Sequence, residues 1–166
     1  MSISSLTASV VLKFLGAGVL VLGRKDPRMQ DELTAYPVGY ALQIRAWDGG
    51  PVLCLAHDAD GWASVPARPL GPRLVEVVFK SHRSALLALL GRQSVTRAFL
   101  ENRVIVRGDL MVTLPLVRAV NLVESHLFPR WWTKPIGPLP SRHLTLPGTW
   151  AGAVGQLLFP RKEGIA

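Results

Sequence analysis

A single cysteine, Cys54, stands among 166 residues, so no intramolecular disulfide can form and packing alone must hold the fold. That economy is compatible with a reducing cytosol. The four histidines and that cysteine show no metal-ligand spacing, such as two side chains one helical turn apart, so no metal or cofactor is expected. Acidic residues are scarce, 11 against 19 basic, which leaves a net charge of +8 and points to an anionic partner. Aromatics are also few, at 7%, and are not interleaved with the scattered basic residues as stacking platforms require. A specific nucleic-acid partner is therefore not expected, and an anionic membrane surface fits better. No phosphate loop or dinucleotide fingerprint occurs, because Gly16-Ala17-Gly18 lacks the third glycine and a preceding strand.

Charged residues make up only 18% of the chain and hydrophobic ones 49%, in a length suited to one domain with a substantial core. Some of that apolar excess should face a ligand, a membrane or a partner. The N-terminus has neither a basic segment before its apolar run nor a small-residue cleavage pattern after it, so a cytoplasmic protein, peripheral on the inner face of a membrane, is expected. The run from Leu6 to Leu22 carries Lys13 in its middle and falls short of the roughly 20 residues of a span. It reads as a helix with Val10, Phe14, Ala17 and Val21 at helical spacing and a stop at Gly23, Arg24 and Lys25. Two uses stay open: packing on its own domain, or membrane contact through Phe14.

From Tyr36 the period becomes that of strands. Tyr40 to Ala46 alternates up to Asp48-Gly49-Gly50-Pro51, Val52 to Leu55 continues as the second arm of a hairpin, and Asp58-Ala59-Asp60-Gly61 turns into Trp62, Ser64 and Val65. A proline-rich loop, Pro66 to Pro72, crosses to a fourth strand at Leu74 to Phe79. Helical spacing follows at Ala85 to Leu90, stopped by Gly91, and at Ser94 to Leu100. Arg103 to Arg107 is a fifth strand. Gly108-Asp109 then turns into a longer helix, with either Asp109 or Thr113 as its cap because Pro115 suits a first turn. In that helix Leu116, Val117, Val120, Val123 and Leu127 form an apolar stripe, with Arg118, Asn121, Glu124 and Ser125 expected opposite.

The stretch from Leu74 to Glu124 resembles the sterol carrier protein 2 family. The resemblance rests on Val77-Val78-Phe79-Lys80, Leu86-Leu87-Ala88-Leu89-Leu90-Gly91, Arg97-Ala98-Phe99-Leu100 and Arg103-Val104-Ile105-Val106-Arg107-Gly108-Asp109. The hairpins from Val38 to Val65 are similar to that family's opening strands. The resemblance implies an α+β fold, a sheet of about five strands covered by helices that enclose an apolar lipid cavity. It implies non-catalytic carriage of a sterol, fatty acyl chain or polyprenyl quinone precursor, with Leu86, Leu89, Leu90, Phe99, Leu110, Leu114, Val117 and Val120 as candidate walls. On their apolar character alone, the same residues would equally make an ordinary core. Some bacterial relatives in the family are accessory factors in ubiquinone biosynthesis, presenting prenylated intermediates to lipid-modifying enzymes, and that is the alternative reading.

Residues 1–35 are then an N-terminal helical extension, 36–127 the lipid-binding domain and 128–166 a C-terminal tail. In the tail, Trp131 and Trp132 between Arg130 and Lys134 have the composition of an interfacial membrane anchor or of a wrap that plugs the domain surface. As for an enzyme, Cys54 and His57 are three apart, an odd offset that sends them to opposite faces of a strand. No other constellation satisfies a catalytic geometry, and an enzyme or nucleic-acid module remains a remote second alternative.

Overall fold

The computed structural model describes residues 3–128 and 146–158, apart from the side chains at positions 3, 4, 110 and 146. Alternating segments fold as strands β1 (Ala41–Arg45), β2 (Val52–Asp58), β3 (Gly61–Val65), β4 (Leu74–Phe79) and β5 (Val104–Arg107). They form one mixed sheet in the order β3-β2-β1-β4-β5. β1 pairs antiparallel with β2, Leu42 opposite Leu55, and parallel with β4, Leu42 opposite Val75. A parallel partner cannot be reached by a hairpin, so the chain crosses between them. The 66–73 loop makes that crossing over the outer face of the sheet, where the Arg68 amide donates to Gln43 Oε1 at 3.0 Å.

The helices among the described residues are α1 (Ile3–Lys25), α2 (Pro27–Thr34), α3 (His82–Leu89), α4 (Val95–Leu100), α5 (Leu110–Leu127) and α6 (Leu146–Leu158). Short polar caps start them: Ser81 accepts from the Ser84 amide and Ser94 from the Arg97 amide. The Gly91 stop has φ +67, as its place after α3 requires.

The apolar N-terminal run is longer than expected. The stretch Ser5–Lys25 has the length and composition to cross a membrane, yet most of it is buried. Ala8, Leu12, Leu15, Val19, Leu20 and Leu22 join the core that includes Leu42, Val77, Phe79, Val120 and Val123. The Gly-Ala-Gly sequence serves close packing. A methyl group at Gly16 would lie 2.5 Å from Leu53 Cδ1 of β2, and one at Gly18 2.6 Å from Val123 Cγ1 of α5. The helices of the 1–35 segment therefore share one hydrophobic core with the sheet.

Asp109, not Thr113, caps α5: its carboxylate accepts from the Met111 amide at 2.8 Å. Pro115 then falls in the second turn, where its ring nitrogen cannot donate to a carbonyl. At this turn the Tyr36 hydroxyl donates to the Val112 carbonyl. The polar face expected on α5 is also different. Glu124 and Ser125, with His126 beside them, are buried on a helix that packs against α1, α2 and α6, and His126 Nε2 lies 3.5 Å from the carboxylate of Asp26, the cap of α2.

Candidate functional site

Alternation along the strands gives the sheet two unlike faces. The outer face carries Ala41, Cys54, Ala56 and Leu74 around a buried charge network. There Glu76 accepts from Gln43 at 2.7 Å, from Arg45 at 3.0 Å and from Arg107 at 3.0 Å. Burial would raise the Glu76 carboxyl, but the hydrogen bonds from these three residues outweigh it and hold the group below the usual carboxylate range. The inner face presents Leu42, Ile44, Val75, Val77 and Phe79 to the helices.

Between that inner face and the helices runs an apolar seam. Ile44, Val77 and Phe79 form its floor, and Leu89 at the end of α3, Val95 of α4, and Leu116, Val117 and Val120 of α5 form its roof. The void left between them is about 10 Å³, room for roughly one water. The roof is held in place by the Gly108-Asp109 junction. Gly108 has φ +106, and a Cβ there would meet the Leu74 carbonyl oxygen at 2.7 Å, so glycine alone lets β5 turn under β4 into α5.

Of the candidate wall residues, the structure brings Leu89, Val117 and Val120 together around this void. Leu86 is half-buried against the same core, and Leu90 is half-buried as the C-cap of α3. Phe99 and Leu114 are 44% and 45% exposed, on α4 and on α5, helices that touch one another and both touch β5. The Leu110 side chain lies outside those described. Ile44, Val77, Phe79, Val95 and Leu116 line the void without having been singled out beforehand. Their strand and helix periodicity marked them as inward-facing, but only the fold shows which inward residues meet.

The membrane-contact candidates divide in the same way. Phe14 is half-buried with its ring centroid 4.8 Å from that of Trp150 on α6, while Trp131 and Trp132 lie outside the described residues. Exposed apolar side chains nearby are Leu6 and Val10 on α1 and Trp150, Val154 and Leu158 on α6, two helices packed side by side. The basic segment after α1 is partly self-neutralised: Asp26 caps α2, is buried, and pairs with Arg28 at 3.0 Å.

Cys54 and His57 do fall on opposite faces of β2. Cys54 belongs to the outer cluster, its thiol pushed up by burial, whereas His57 stacks on Trp62 with ring centroids 4.9 Å apart and its Nδ1 lies 2.7 Å from the Tyr36 carbonyl. Among the described residues no group of three or more His, Cys, Asp or Glu could hold a metal ion.

Fold and seam together define an α+β protein in which one face of a five-stranded mixed sheet is roofed by helices across an apolar interface. No protein-family model matches the chain, and no curated protein matches it in sequence. Among solved structures it is similar to one titled "UbiJ-SCP2 Ubiquinone synthesis protein", with 18% identity and a TM-score of 0.46 over 75% of this chain and 96% of that one. That title names the family whose motifs the Leu74–Glu124 stretch resembles.

Proposed function

We propose that the protein binds a hydrophobic lipid without transforming it and carries or presents it to lipid-modifying enzymes. The observation that carries this reading is the seam, whose floor and roof are apolar throughout. A lipid tail needs walls of this kind and a polar or wet mouth. With a void of about 10 Å³ the seam is closed, so a tail enters by parting α5 from the sheet. On this reading the exposed Phe99 and Leu114, on helices that touch one another, would offer the entering tail its first apolar contacts.

A second reading narrows the ligand to a polyprenylated quinone precursor, held for the soluble enzymes of ubiquinone biosynthesis. The family resemblance of Leu74 to Glu124 supports it. Delivery from a membrane fits the exposed apolar side chains of α1 and α6 combined with a net charge of +8, which would favour reversible docking on anionic lipid. Organic extraction of protein purified from cells, followed by mass spectrometry, tests the proposal. A stoichiometric sterol, acyl or prenyl species is expected, its identity decides between the two readings, and the absence of any lipid from repeated preparations argues against both.

A further inference from the structure

On the side of α3 and α4 away from the seam lies a recess of about 430 Å³. Its walls are Ser81, Arg83, Ser84, Leu87, Arg92, Gln93, Arg97, Glu101 and Arg103. Among the described residues, Arg83, Arg97 and Arg103 line it together with one carboxylate, Glu101. Glu101 accepts from Gln93 at 2.8 Å and from the Nε–H groups of Arg97 and Arg103, each at 2.8 Å. A guanidinium has five N–H donors in a fixed fork, so those contacts leave most of the donors of Arg97 and Arg103 unused. Arg83 is exposed at the same wall and has no ion pair among the described residues. Arg83, Arg97 and Arg103, gathered around Glu101, repel one another, and a small dianion set among them relieves that repulsion while taking paired N–H bonds.

We infer that this recess is a binding site for a phosphate-class anion, a phosphomonoester or diphosphate. The guanidinium forks supply the charge and the paired donors. Glu101 pins Arg97 and Arg103 in place, and the Ser81 and Ser84 hydroxyls, 2.8 Å apart, share one hydrogen bond at the wall, which leaves one hydroxyl proton to donate. The site does not depend on the seam taking a lipid tail. The shared chemistry has two sources, a free phosphorylated solute or the headgroup of an anionic lipid. α3 and α4 turn arginines to the recess and Leu89 and Val95 to the seam, so a headgroup here would sit one helix layer away from an apolar tail.

The test titrates the full chain with inorganic pyrophosphate by calorimetry and, separately, measures its sedimentation with phosphatidic acid or phosphatidylcholine vesicles. Each arm compares the wild type with Arg83→Gln, Arg97→Gln and with a control of equal charge change elsewhere, Arg68→Gln, Arg73→Gln, in the exposed 66–73 loop. Thermal unfolding verifies that both double variants fold, and Arg83→Gln alone stands in if the first does not. Saturable pyrophosphate binding weakened about tenfold or more by the recess substitutions, and little by the control, supports the site and assigns it to free anions. Binding to phosphatidic acid alone, with the same arginine dependence, supports the site and assigns it to headgroups. No saturable binding in either arm, or an equal loss in the control, overturns the inference, since the effect would then be bulk charge.

Discussion

Glu76 and Glu124 are each about 1% exposed, yet the two carboxyl groups are driven in opposite directions. Glu76 sits on the outer face of the sheet among Gln43, Arg45 and Arg107, and stays below the usual carboxylate range. Glu124 sits on α5, which packs against α1, α2 and α6; among the described residues neither of its oxygens has a hydrogen-bond partner, and burial pushes it well above that range. Burial decides the direction only where nothing donates to the carboxylate. The sheet's outer face is thus a satisfied ionic layer, while in the helical layer burial disfavours the charged form of an acid.

The sharpest break of that contrast is Glu76→Ala, which leaves two guanidinium groups and an amide without their acceptor. A loss of about 2 to 3 kcal/mol is expected in denaturant unfolding. This is below the roughly 3 to 5 kcal/mol of a fully buried pair, because Arg45 and Arg107 are 24% and 43% exposed and can rehydrate. Glu124→Leu should act in the opposite sense, raising stability by about 1 to 3 kcal/mol by removing an unsatisfied buried group.

The two acids also give opposite pH slopes. Glu76 has a lowered folded pKa, so its contribution is present above the ordinary carboxylate value and is lost as pH falls through the folded value. Glu124 has a raised folded pKa: above the ordinary value the unfolded chain ionises while the folded one keeps its proton, and stability falls as pH rises. Thermal melts should therefore show the advantage of Glu124→Leu over wild type widening as pH rises above the ordinary carboxylate value. A constant difference would mean that Glu124 is ionised and paired in the folded protein.

The smallest of these effects belongs to a group between the two extremes. Tyr36 is buried, with its phenol pushed up chiefly by desolvation, but its hydroxyl has the Val112 carbonyl to donate to. Tyr36→Phe should cost about 0.5 to 1.5 kcal/mol in the same denaturant assay. No measurable change would show that the bond is not needed where Pro115 interrupts α5.

Much of this architecture was legible from local pattern. Strand alternation located the five strands, Ser81, Ser94 and Asp109 marked helix starts, and Gly91 and Gly108 marked the turns that need positive φ. Other features depend on which elements meet. Asp26-Pro27 carries a cap and first-turn signal for α2, a second helix directly after the stop expected at Lys25. Glu124 and Ser125 look solvent-facing by helical spacing and are buried because α5 packs against α1, α2 and α6, which its own sequence does not reveal. The arginine recess escaped detection because Arg83, Arg92, Arg97 and Arg103 have no spacing in common; they converge only when α3 and α4 fold against β5. The wall candidates were half legible in the same sense: apolar periodicity marked Leu89, Val117 and Val120, but Phe99 and Leu114 proved exposed.

The most direct test of the lipid-binding account is binding of a fluorescent fatty acid to the wild type and to Val117→Trp, whose indole would occupy the roof of the seam. The account predicts saturable, low-micromolar binding by the wild type that natural acyl, sterol or prenyl lipids displace. It also predicts loss of that binding in Val117→Trp while cooperative unfolding survives, because a seam that opens for a tail accommodates bulk better than a filled core, where overpacking costs about 1 to 3 kcal/mol. Failure of the wild type to bind any acyl, sterol or prenyl probe, with Val117→Trp losing its fold, would show that the seam is simply core.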